Sequence, residues 1–180
     1  MDTSERTEPE VGTEEARTAW ALAARDILID TAGTYRGLIT FKEIAAAVQE
    51  KTGITTKQLS NHWLGDVLSR VAVDCDTRGE PLLTSLCVDA TGSVGANYLA
   101  TLERIRGSAP EDGDMQAADE RLACHRHFGA DVPEGGGTRA LSTQEKTRRD
   151  RAKKSGPYEG KTCAKCNMEL PANGLCDYCD

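Results

Sequence analysis

The chain has 180 residues, a formal net charge of -7, 38% hydrophobic residues and only 4% aromatic ones. That length holds one medium domain and one small one, and the acidity excludes a uniformly basic protein, so any nucleic-acid surface has to be local. No run approaches the roughly 18 apolar residues of a membrane-spanning helix, and the polar, acidic start lacks the basic and apolar regions of an export signal. The expected location is therefore the cytoplasm, with no membrane partner and with thiols kept reduced. Abundant Ala and Gly, and more Arg than Lys, suit a GC-rich genome, bacterial or phage.

Residues 1–13 are polar and acidic and are expected to be a disordered lead-in. A helical domain is expected over 14–107. Its first helix runs from Glu14 to Thr31, with Trp20, Ala23, Ala24, Ile27 and Leu28 recurring at helical spacing on the buried side. Thr34 to Gly37 is a turn and Leu38-Ile39 a short extended piece. Thr40 and Glu43 have the spacing of a capping box, in which each side chain satisfies a backbone N–H at the start of the next helix. That helix spans Phe41 to Lys51, turns Ile44, Ala45 and Val48 inward, and stops at Gly53.

A third helix is predicted from Lys57 to Cys75, with Leu59, Trp63, Val67, Leu68 and Val71 on its apolar face. Gly65 in its middle costs about 1 kcal/mol against Ala and marks a close helix approach or a break. Leu82 to Val88 is rich enough in β-formers to be a strand. Asp89 to Gly92 reads as a hairpin turn, and Ser93 to Tyr98 as the returning strand. Leu99, Leu102 and Ile105 suit a short helix. A further helix is expected within 108–130, from Asp114 to Phe128, with Met115, Ala118, Leu122 and Phe128 inward.

Residues 131–161 read as a flexible basic linker. From Arg139 to Lys161 there are eight basic residues and three acidic ones. Arg148, Arg149, Arg151, Lys153 and Lys154 in this stretch are candidates for phosphate contact, the alternative being a solvated linker helix.

Residues 162–180 carry the strongest signal. Cys163-Ala-Lys-Cys166 and Cys176-Asp-Tyr-Cys179 are separated by nine residues. Two such C-x₂-C knuckles place four thiolates around one tetrahedral ion. Soft S₄ ligation suits Zn²⁺ first and iron second. Cys163, Cys166, Cys176 and Cys179 leave no open position, so the site reads as structural. A pair of disulfides in an exported domain is the alternative. The segment has too little apolar surface to fold alone, so the metal would supply most of its folding energy.

Helix, turn, capped helix, helix and hairpin is winged-helix order. The third helix would then enter the major groove of duplex DNA, presenting Lys57, Gln58, Ser60, Asn61, His62 and Arg70. Gly37-Leu-Ile-Thr-Phe-Lys-Glu-Ile-Ala45 resembles the segment opening the helix-turn-helix of alkylguanine-DNA alkyltransferases and alkyltransferase-like proteins. Gly92-Ser-Val-Gly95-Ala-Asn-Tyr98 resembles their wing. The resemblance implies a winged helix that binds DNA, but not alkyl transfer. Thr84 stands where the family's acceptor cysteine would be, its flanking His and Arg are missing, and Cys87 comes three residues late. The chain as a whole also looks similar to small bacterial and phage proteins with a helical core and a C-terminal Cys₄ knuckle, a resemblance that implies no activity.

Nothing else in the sequence spells catalysis. No phosphate-binding glycine loop, nucleophile elbow or paired-carboxylate motif is present. Cys124, His125 and His127 are the one other cluster of ligand-type residues; adjacent positions point to different sides of the helix, while Cys124 and His127, at i and i+3, could share a face. The reading is therefore a mainly α protein with a small β-hairpin. A winged-helix-like N-terminal domain precedes a C-terminal Cys₄ zinc ribbon or knuckle. The expected function is non-enzymatic DNA binding or regulation, and the alternative is a protein–protein adaptor that uses the knuckle.

Overall fold

The computed structural model describes residues 6–154, 162–166, 168 and 179. They fall into two compact units, residues 1–145 and 146–180. The first unit is helical. Its elements are β1 (Arg6–Thr7), α1 (Glu8–Val11), α2 (Thr13–Ala32), β2 (Ile39–Thr40), α3 (Phe41–Thr52), β3 (Ile54–Thr55), α4 (Leu64–Arg78), β4 (Cys87–Val88), α5 (Gly95–Arg106) and α6 (Gly113–His127). Helix α7 (Thr143–Lys154) begins in this unit and ends in the second.

Helix α2 is the central post. Trp20, Ala23, Ala24 and Leu28 are buried along one face, as their spacing leads one to expect, and Ala16 and Ala32 extend that face by a turn at either end. Ile27 packs at the edge of the same core. The small residues let α3 and α4 come close, and Trp20 and Trp63 fill the remaining space with ring centroids 4.5 Å apart. Trp20 Nε1 donates to the carbonyl of Ile54 at 3.0 Å, which gives a buried polar atom its partner.

The capping box forms as its spacing predicts. The Glu43 N–H donates to Thr40 Oγ1, and Glu43 Oε2 accepts from the Thr40 N–H at 2.8 Å. Gly53 ends α3 at φ +65°, a conformation that favours glycine. Thr40→Ala is expected to cost about 1 kcal/mol, because it leaves a helix N–H without its acceptor. Urea denaturation of the two proteins checks this.

Four expectations are corrected. The lead-in is not wholly disordered, because Arg6–Val11 forms β1 and α1. Glu8 there is buried, and its Oε2 accepts from Thr56 Oγ1 at 2.7 Å and from Gln58 Nε2 at 3.2 Å. The third helix starts at Leu64, not Lys57. A short 3₁₀ turn, Ser60–His62, precedes it. Gly65 marks a close approach, since a Cβ there would strike the Asn97 side chain.

The hairpin is the third correction. A two-faced strand needs alternation, but all of Leu82 to Val88 is buried, so no residue of it faces water. Leu83–Leu86 winds into a 3₁₀ turn, and Cys87–Val88 pairs in parallel with Ile39–Thr40. Ser93 to Tyr98 does not return as a strand. Asp89 Oδ1 accepts from the N–H groups of Thr91 and Ser93, and the chain enters α5 at Gly95. The wing expected here is thus a helix. The described strands form two parallel two-residue pairs, β1–β3 and β2–β4. Fourth, residues 143–154 of the expected flexible linker are helical. Ser142 Oγ accepts from the Glu145 N–H at 3.1 Å and donates to the carbonyl of Gly92 at 2.8 Å.

Candidate metal centre and binding surfaces

The Sγ atoms of Cys163, Cys166 and Cys179 lie within 4.8 Å of one another. Tetrahedral ligation with Zn–S bonds near 2.3 Å needs sulfurs about 3.8 Å apart. The three thiols are gathered to that scale, so they fit a metal ion. The fourth expected ligand, Cys176, lies outside the described residues, as does Lys161. The Cys163 N–H donates to the carbonyl of Met168 at 2.8 Å, which turns the first knuckle back on itself. Among the described residues this is the one group of three or more His, Cys, Asp or Glu side chains able to share an ion.

The remaining cysteines are of another kind. Cys75, Cys87 and Cys124 are buried free thiols. Burial raises the pKa of Cys75 and of Cys87, and pushes that of Cys124 up to about 12. They stay protonated at neutral pH and act as small apolar groups. Cys124, His125 and His127 do not converge. His125 is buried: Nδ1 meets the carbonyl of Ala32 at 2.9 Å, and Nε2 accepts from the Arg36 N–H at 3.2 Å. His127 is exposed and packs edge-on to Phe128.

The candidate DNA-contact residues of the first unit do not share one helix face. Lys57, Gln58, Ser60, Asn61 and His62 are all exposed, on a loop and a 3₁₀ turn. Gln58 is tied to Glu8. Arg70 is held by Glu14 at 2.7 Å and by Asp66 at 3.0 Å, so its charge is already countered. Between α4 and α5 lies a cleft of about 230 Å³, walled by Phe41, Asn61, Leu64, Leu68, Thr84 and Tyr98 among others. Thr84, at the acceptor position of the resemblance, is thus a wall residue of a largely apolar cleft.

Arg148, Arg151, Lys153 and Lys154 are exposed on α7, and Arg149 is half-buried. The helix carries no apolar stripe. Its sequence Thr-Gln-Glu-Lys-Thr-Arg-Arg-Asp-Arg-Ala-Lys-Lys is polar all round. Sequence reading missed one inward polar set. On α6 the buried face comprises Asp114, Ala117, Ala118, Arg121, Cys124 and His125. The spacing is helical, but three of the six are polar, so a search for apolar periodicity passes over it.

No described helix is long and apolar enough to cross a membrane. No protein-family model, curated protein or solved structure matches the chain.

Proposed function

We propose that this is a non-enzymatic DNA-binding or regulatory accessory protein whose C-terminal unit meets the phosphate backbone. In this reading Cys163, Cys166, Cys176 and Cys179 hold one structural zinc ion, with iron as the competitor. The carrying observation is segregation of charge. Residues 1–145 hold 14 basic and 24 acidic side chains, whereas residues 146–180 hold eight and five. A polyanion is repelled by the first unit and attracted by the second. The exposed cations of α7 are the natural contact. Reading of the groove by residues 57–70 in winged-helix fashion is the less favoured route, since Arg70 is countered and a helix stands in place of the wing.

Fluorescence anisotropy of the metal-loaded protein with mixed-sequence duplex DNA tests the proposal. Binding is expected at low salt and is expected to weaken steeply as salt rises. Lys153→Glu/Lys154→Glu should flatten the slope of log K against log salt by up to about two units. Lys57→Glu should change affinity less than about twofold. Absence of binding at low salt, with one metal ion per chain present, would sink the proposal.

A second reading is a protein–protein adaptor. It is favoured by the acidic surface around Arg70 together with the apolar cleft between α4 and α5. It would take over if the loaded protein ignored DNA.

A further inference from the structure

Helix α6 turns an arginine into the protein. Arg121 is 4% exposed. Its Nε donates to the carbonyl of Ser85 at 2.7 Å, while Nη1 and Nη2 are buried with no hydrogen-bond partner. Burial pulls the Arg121 pKa down, and Asp114, one helical stretch earlier, opposes this from a distance without reaching these nitrogens. Its Oδ1 accepts from the Val94 N–H and both its oxygens accept from Ser93 Oγ. A guanidinium buried with two unsatisfied nitrogens is costly unless an anion or another acceptor completes it.

The surroundings point to an anion. Arg121 borders a pocket of about 120 Å³, with Tyr35, Arg36, His125, Thr138 and Thr143 supplying its other polar wall groups. The remaining wall residues are apolar, and no Asp or Glu lines it. An acid-free pocket with two arginines is unusual in a unit where acids outnumber bases by 24 to 14. Arg36 itself is held in a costly conformation. Its φ is +63°, the one positive value outside glycine among the described residues. Its N–H donates to His125 Nε2, which fixes the ring as the tautomer protonated at Nδ1. Its guanidinium lies over the Tyr35 ring, 5.3 Å from the centroid. Strain, a buried unsatisfied cation and a second, exposed cation thus meet in one place.

We propose that this pocket binds a small tetrahedral oxyanion, a phosphate or sulfate group, between the exposed Arg36 and the wall in which the Arg121 charge is buried. Guanidinium nitrogens match such oxygens in charge and geometry. The volume equals that of about four waters, enough for one such group but not for a nucleotide. All wall residues of the pocket belong to the first unit.

The test is thermal unfolding of the metal-loaded full chain in inorganic phosphate against chloride at equal ionic strength, with calorimetric titration of phosphate. Phosphate is expected to raise Tm and chloride not to. Arg36→Gly removes the exposed cation and also relieves the positive φ. It should raise Tm in chloride yet weaken phosphate binding about tenfold, as loss of one charge-assisted contact does. Arg121→Gln should abolish the phosphate response. If it fails to fold, Arg36→Gly still decides. Phenyl phosphate separates the sources. Equal binding means the site reads a phosphate on an ester, and binding of inorganic phosphate alone means the pocket closes over the free ion. Equal Tm in phosphate and chloride, or a phosphate response intact in Arg36→Gly, overturns the proposal.

Discussion

A strong chelator is expected to unfold residues 162–180 while leaving the helical unit standing. A structural zinc ion contributes about 10–16 kcal/mol of apparent binding energy in small thiolate modules. The segment around Cys163 and Cys179 offers little apolar surface in exchange, since Leu170, Leu175 and Tyr178 are its sizeable apolar residues. The amide NMR spectrum checks this. Signals from the knuckle should collapse to random-coil positions on chelation, those of α2 to α6 should stay, and re-addition of zinc should restore the first set. Cys163→Ser should show the chelated spectrum without chelator. A knuckle spectrum indifferent to chelation would remove zinc from the account.

Trp20→Ala is expected to destabilise the helical unit by about 3–5 kcal/mol, a large share of the roughly 5–15 kcal/mol that holds a domain together. Trp20 is fully buried against Trp63, so truncation opens a cavity and also strips the Ile54 carbonyl of its donor. Phenylalanine variants separate the two effects. Trp20→Phe loses that hydrogen bond. Trp63→Phe loses an indole N–H that is buried without a partner, and should cost less. Urea unfolding followed by circular dichroism measures all three. A loss below about 1 kcal/mol for Trp20→Ala would mean that the neighbouring helices close the gap.

The parts legible in the sequence were those written as local chemistry. The Thr40–Glu43 box, the stop at Gly53 and the stripe from Trp20 to Leu28 each depend on near neighbours, and each stands where spacing put it. The clustering of Cys163, Cys166 and Cys179 followed from motif spacing in the same way. The misread parts were decided by distant contacts. Leu82 to Val88 has strand-forming residues, yet burial on all sides bends it into a 3₁₀ turn and a short parallel pair. Arg121 and His125 face inward because Ser85, Ala32 and Arg36 meet them there, and those partners lie 36 to 93 positions away.

The two short parallel pairs set the order in which the chain can become a domain. Arg6 meets Ile54 and Ile39 meets Cys87, each across 48 positions. The two closed loops overlap over residues 39–54, which contain α3. Neither loop can therefore be released as an independent piece without disturbing the other. Closing such loops costs entropy before any contact rewards it, and non-local pairing of this kind slows folding. On a ribosome, β1 can dock once α3 and β3 have emerged, but β2 waits for Cys87. The β2–β4 contact is thus the later of the two to become possible, and this segment closes in two stages rather than one.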